Sequence, residues 1–226
     1  MSLLVQQQIF EIIKRKQRIL IALAKNFNGD GLAAAGSLAL FLKKLEKEVI
    51  IVCDEFKVPE KFKFLPQIDQ IQPRLQSPRK FIISLNLSQA KVEDLSYQLK
   101  DERLEIYINP KDGQFTPQDV TCAAANYRHD LIFVIDAADL ESLGKIYEDN
   151  ADFFYQTPIV NIDHGAENEN FGQINLVDLT ANSTCEILFS LLENNLNILN
   201  EDMATALYTG IIVETNSFKS NKVTPK

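Results

Sequence analysis

The chain has 226 residues, with 23 Lys+Arg against 31 Asp+Glu, two histidines and a formal net charge of −8. Its 46% hydrophobic and 24% charged residues are globular proportions, which excludes disordered and fibrous classes, and the acidic balance excludes a broad basic surface for gripping duplex nucleic acid. Having only His129 and His164, the chain cannot build a histidine-rich zinc centre, so any metal site must draw mainly on carboxylates.

Residues 3–16 carry apolar positions at a rough helical period and end in a basic tail. The charges lie inside this segment rather than before an apolar run, and no apolar stretch reaches the ~20 residues of a membrane span. A soluble, cytoplasmic protein without a membrane partner is expected. Cys53, Cys122 and Cys185 are odd in number and far apart, so they are expected as buried thiols in a reducing compartment rather than a disulfide framework. Residues 18–24 read as a buried strand, followed by the polar turn 25–31 and an Ala- and Leu-rich helix over 32–45 that closes on Lys43 and Lys44. A second buried strand at 48–53 completes a βαβ unit, the building block of parallel sheets.

Residues 54–79 hold four prolines and read as a loop-rich excursion. A strand is expected at 80–86, a hairpin from 94–100 and 103–109 around Asp101-Glu102, and a helix start at Thr116-Pro117-Gln118-Asp119. His129 reads as a solvated loop residue, and Lys43, Lys44, Lys57, Lys61 and Lys63 as solvated surface. The α/β rhythm then returns. A strand at 131–135 ends at Asp136, a helix covers 140–155, a strand at 158–162 ends at Asp163, and helices cover 182–194 and 202–213. The expected fold is α/β: a mostly parallel sheet flanked by helices, in one domain spanning 1–226, with a β-hairpin region inserted at about 54–126.

Three apolar strands therefore run into acidic residues: Asp30 in the first turn, Asp136, and Asp163 beside His164. Ligands of open α/β sheets bind outside the carboxyl ends of the strands. An aspartate after a strand is often only a helix cap or turn former. Several on one edge repel each other unless a cation is present, and oxygen donors with an occasional imidazole suit Mn²⁺ or Mg²⁺. The turn 26–31 could cradle phosphate at a helix start, but it lacks the Lys-Ser/Thr of a P-loop and dinucleotide glycine spacing. Neither Ser37 nor Ser183 has a histidine at a recognisable spacing, so serine-hydrolase chemistry has little support.

Asp163-His164-Gly165, preceded by Ile159-Val-Asn-Ile and followed by Phe171-Gly-Gln-Ile-Asn-Leu-Val-Asp178, resembles the Asp-His-His segment of the DHH phosphoesterase family. Asn26-Phe-Asn-Gly-Asp30 resembles its first motif, His-x-x-x-Asp-x-Asp, and the strand ending at Asp136 resembles its second. Ala181-Asn-Ser-Thr184 with Glu186 resembles the Ser-Thr helix start after the signature, and residues 208–218 resemble the fourth motif, Gly-Ile-x-x-Asp-Thr-x-x-Phe. The motifs occur in the family's order across nearly the whole chain apart from the insertion.

The resemblance implies a Mn²⁺- or Mg²⁺-dependent phosphoesterase acting on small nucleotides or short single-stranded oligonucleotides. It implies Asp30, Asp136, His164 and Glu214 as metal ligands, and Asp136, Asp163 and His164 as catalytic. Asn28, Ser183 and Thr184 are placed near the substrate, and a homodimer is a further expectation. The departures are as specific. Ala24 stands where the first-motif histidine would be, Asn28 replaces its first aspartate, Gly165 the second signature histidine, and Glu214 the fourth-motif aspartate. One of the two family metal positions thereby loses its ligands, so one ion is expected rather than two. The smaller substrate-binding domain that follows the fourth motif in such proteins is expected to be absent. Hydrolysis impaired by lost ligands and an inactive nucleotide-binding or protein-interaction module both remain open.

Overall fold

A computed structural model describes residues 3–76, 79–220 and 223. The chain divides into two compact units, Met1–Pro78 with Tyr127–Lys226, and Arg79–Asn126. Pro78 of the proline-rich stretch and residues 224–226 lie outside the described residues.

The first unit begins with α1 (Val5–Arg15), which buries Ile9 and Ile13. Five short strands follow along the chain: β1 (Arg18–Leu23), β2 (Glu48–Cys53), then, beyond the second unit, β7 (Leu131–Ile135), β8 (Ile159–Asp163) and β9 (Ile174–Val177). They pair in the order β2-β1-β7-β8-β9, every pair parallel. Strands β1, β7 and β8 are apolar almost throughout because both of their faces are covered. One face, with Ile19, Ile21, Phe133 and Ile162, packs under α1, α2 (Gly29–Lys44), α5 (Thr184–Leu192) and α6 (Glu201–Glu214). The other, with Leu20, Ala22, Ile132 and Val134, packs on Leu143, Ile146, Phe153 and Phe154. The expected parallel α/β architecture is therefore present.

Several local expectations need correction. The 140–155 segment is not one helix: a single 3₁₀ turn at Glu141–Leu143 precedes α3 (Lys145–Glu148) and α4 (Ala151–Gln156). The break falls at Gly144, whose φ of +60° cannot continue a right-handed helix. Strand β9 was not expected, because Ile174-Asn-Leu-Val177 is half-buried at a sheet edge and has no apolar run. Residues 54–76 pack into this unit, where Phe62, Leu65 and Ile68 are buried and Gln72 bridges Val52. His129 is buried rather than solvated, with its ring 6.3 Å from that of Phe153. Lys43 is not free surface either: its Nζ bonds the side chains of Gln67 and Gln70.

The second unit holds β3 (Arg79–Leu85) paired with β6 (Val120–Tyr127), and the antiparallel hairpin of β4 (Lys91–Lys100) and β5 (Arg103–Asp112). The hairpin turns at Asp101 as the sequence indicates, with φ +50° there. Thr116–Asp119 has the reciprocal capping expected of a helix, yet it makes one 3₁₀ turn and runs into β6. Cys122 on β6 is exposed, unlike Cys53 and Cys185. Among the described residues no helix is long and apolar enough to cross a membrane.

Candidate metal centre

From β1 the chain moves to β2 on one side, while β7, β8 and β9 extend the sheet on the other. The switch point lies between β1 and β7, where diverging connections leave a crevice at the carboxyl ends. Leu23 pairs with Ile135 and Ile135 with Ile162, so the three strands end level. Whatever follows them is brought to one edge.

Asp30 enters from the first turn of α2, whose N-cap Asn28 accepts the Gly31 N–H at 2.7 Å. Asp30 is fully buried, and its carboxylate spans the start of α5: Oδ2 accepts the Thr184 N–H at 2.6 Å and Oδ1 the Cys185 N–H at 3.0 Å. Those N–H groups have no partner within the helix, so the carboxylate meets both the hydrogen-bond need and the dipole of α5. Asp136 ends β7 in the left-handed region, at φ +55°. Aspartate tolerates that conformation better than most residues. Its Oδ1 accepts the Thr184 hydroxyl at 2.9 Å.

His164 follows β8, with Nδ1 3.0 Å from Thr184 Oγ1 and 3.4 Å from Asp136 Oδ1. Its Nε2 lies 3.6 Å from Oε1 of Glu214, the last residue of α6. Asp30, Asp136 and His164 each offer a ligand atom within 4.8 Å of the others. Thr184 touches all three, through its N–H to Asp30 and its hydroxyl to Asp136 and His164, while Glu214 reaches the group through His164.

The remaining expected site residues have other duties. Asp163 Oδ1 accepts the N–H of His164 at 2.7 Å and of Gly165 at 3.0 Å, and Oδ2 accepts from Asn168 Nδ2 at 2.7 Å. Its carboxylate organises the loop that presents His164. Ser183 is fully buried as the N-cap of α5, accepting the Glu186 N–H at 3.0 Å, so its hydroxyl does not face a substrate. Asn28 is exposed, with Nδ2 3.5 Å from Glu214 Oε2. Asn168 escaped the sequence reading, although a signal existed: Asn161, inside the apolar run of β8, is buried and bonds Asn168 at 2.7 Å. A buried amide in such a strand demands polar partners.

The electrostatics show a site crowded with negative charge. Burial, then the Asp136 charge, pushes the Asp30 carboxyl up to about 6. The hydrogen bond to Asp136 leads the forces that raise His164 to about 9 against the opposing effect of burial. At neutral pH the His164 proton thus offsets part of the repulsion among the carboxylates around it. A divalent cation would do the same, and three carboxylates with one imidazole form a donor set that fits Mn²⁺ or Mg²⁺. Asp30 oxygens already accept N–H groups, but each keeps a second lone pair for a cation. The other family metal position has no comparable set: Ala24 has only its backbone carbonyl, 3.4 Å from Cys53 Sγ, and Asn28 caps α2.

Comparison with known proteins bears on the family and the fold. The model of the DHH family, N-terminal domain, matches residues 18–211. The chain belongs to the DHH family. The match spans all five strands of the parallel sheet and includes Asp163-His164-Gly165. Among solved structures, an exopolyphosphatase-related protein from Bacteroides fragilis matches with a TM-score of 0.67 and 18% identity, over 96% of this chain and 52% of that one. The likeness is one of fold, and this chain spans about half the length of that protein. No curated protein matches it.

Proposed function

We propose that this DHH domain is a single-cation centre of phosphoesterase type that takes the phosphate of small nucleotides or short single-stranded oligonucleotides. One observation carries the reading: Asp30, Asp136 and His164 converge within 4.8 Å at the sheet's switch point, with Glu214 3.6 Å from His164. Asp30, Asp136, His164 and Glu214 would hold Mn²⁺ or Mg²⁺. Bound there, the cation supplies Lewis acidity toward a phosphoryl oxygen and lowers the pKa of a bound water.

The chain's own groups define what else the site can do. Thr184 Oγ1, between His164 and Asp136, fixes the orientation of the imidazole. Asp163 and Asn168 hold the loop behind it. Asn28 is exposed beside Glu214 and offers an amide to a phosphate oxygen. Without ligands at the Ala24 side, the paired-ion clamp of a two-metal mechanism is missing, so hydrolysis is slow. The Asn28 carbonyl oxygen, taken up by the Gly31 N–H, is a poor substitute for a carboxylate ligand, and this favours a second reading, in which the site binds nucleotide without turnover.

Calorimetric titration with Mn²⁺ tests the first claim, with one ion per chain expected and none in Asp136→Asn. Two tight sites would overturn it. Hydrolysis assays with Mn²⁺ on adenosine bisphosphate, a dinucleotide and a cyclic dinucleotide then separate the readings. Turnover lost in Asp136→Asn supports the enzyme. Nucleotide binding with no turnover supports the binding module.

A further inference from the structure

We infer that the β4–β5 hairpin is a self-association surface, closed by the same hairpin of a second copy of this chain. The register sorts the hairpin into two chemical faces. Leu95 stands opposite Ile108, Tyr97 opposite Ile106, and Leu99 opposite Leu104, three consecutive apolar rungs on one side. The alternate rungs, Ser96 with Tyr107, Gln98 with Glu105 and Lys100 with Arg103, put the polar groups on the other. A strand pair sorted in this way is built to bury one face.

The face is not buried within its unit. Leu95, Tyr97 and Leu99 are 59%, 70% and 74% exposed, and Leu104 and Ile106 are exposed as well. The Arg79–Asn126 unit has no core to compensate, since Ala90 is the one buried apolar residue among its described side chains. Two-stranded hairpins are marginal in water alone, and small units without a core rely on assembly or cross-links.

A second copy fits on area and on symmetry. The five exposed side chains offer on the order of 600 Å² per copy, so two faces closed together bury about 1,200 Å², the lower edge of a specific interface. The apolar rungs are continuous and carry no charge, so the face is complementary to itself about a two-fold axis lying between the two sheets. Facing sheets pack roughly 10 Å apart, which lets Leu, Ile and Tyr side chains interdigitate.

Sedimentation of the full chain tests the inference. A concentration-dependent species of twice 25.6 kDa is expected, and Tyr97→Glu/Leu99→Glu, which puts like charges on the apolar face, should sediment as a monomer with an unchanged far-UV spectrum and Mn²⁺ isotherm. A wild-type chain that stays monomeric, or a double variant that still dimerises, overturns it. Because the charged variant could unfold its own unit, a second measurement uses a flexible bis-maleimide long enough to span the roughly 10 Å between facing sheets, in a Cys122→Ser background. Tyr97→Cys should yield a covalent dimer and Ser96→Cys, on the polar face, should not. Equal cross-linking of the two, or none from Tyr97→Cys, overturns the inference too.

Discussion

Gly210→Ala joins the fold and the metal centre in one perturbation. Gly210 lies where α6 crosses the start of α5, and a methyl carbon there would sit 2.2 Å from Cys185 Sγ, 2.7 Å from Asp30 Oδ1 and 3.0 Å from Cys185 Cβ. Heavy atoms in good contact are roughly 3.5–4.0 Å apart, so relief requires a shift of more than ~1 Å. Neither neighbour is free to yield, since Cys185 is fully buried and its N–H is bonded to Asp30. Overpacking of this kind costs about 1–3 kcal/mol, and simultaneous clashes with two buried residues place the expected loss near 3 kcal/mol. Glu214 lies four residues further along α6, so a displaced helix also draws its carboxylate away from His164. Mn²⁺ affinity should then fall about tenfold. Urea unfolding followed by circular dichroism measures the first effect and calorimetry the second. Adding Cys185→Ala removes the sulfur contact but leaves the Asp30 contact, so it should recover about half of the destabilisation, a non-additive pair. A Gly210→Ala protein within ~0.5 kcal/mol of wild type would refute the reasoning, because only a loose α5–α6 contact permits it.

Cation affinity should rise roughly tenfold per pH unit between about 7 and 9, because the bound ion must displace the His164 proton. That proton is held up to about 9, chiefly by the hydrogen bond to Asp136, and calorimetry in buffers of different ionisation enthalpy should count about one proton released at pH 7. A pH-independent affinity would exclude His164 as a ligand. His129, by contrast, is pushed down to about 4, first by burial and then by Arg128 and Arg18, and its Nδ1 has no hydrogen-bond partner. Its folded pKa lies below the ordinary 6.5, so the unfolded chain takes up a proton first and stability is lost as pH falls from about 6.5 towards 4. Between pH 7.5 and 5 the wild type should lose about 2 kcal/mol more than His129→Phe in urea titrations. Asp163→Asn should weaken Mn²⁺ binding about tenfold while keeping one site per chain, as expected for a residue that positions His164; complete loss would make Asp163 a ligand.

Much of this arrangement was legible in the sequence because buried parallel strands announce themselves as apolar runs and their ends as the first polar residue. The strand ends mark Asp136, Asp163 and His164 in that way. Asp30 was accessible because its Gly-flanked turn sits between a strand and an Ala-rich helix. What stayed hidden depended on partners remote in sequence. Whether Asp163 faces a cation or its own loop depends on Asn168, and whether Ser183 faces substrate depends on how deep α5 begins. His129 looked solvated between Arg128 and Asp130 because nothing nearby in sequence reveals Phe153 packed against its ring. The helix expected over 140–155 failed at Gly144, where one left-handed residue outweighs the propensity of its neighbours.

The bonds from Asp30 to Thr184 and Cys185 join residues 154 and 155 positions apart. During synthesis, β1, α2 and β2 are complete long before their carboxylate finds the N–H groups of α5. Until that helix emerges, Asp30 remains hydrated, and the crevice beside it has no far wall. Closing so long a loop is entropically slow and comes after the local contacts. A centre built on contacts so distant in sequence is expected to form late, so a cation should stabilise the finished domain rather than guide its earlier assembly.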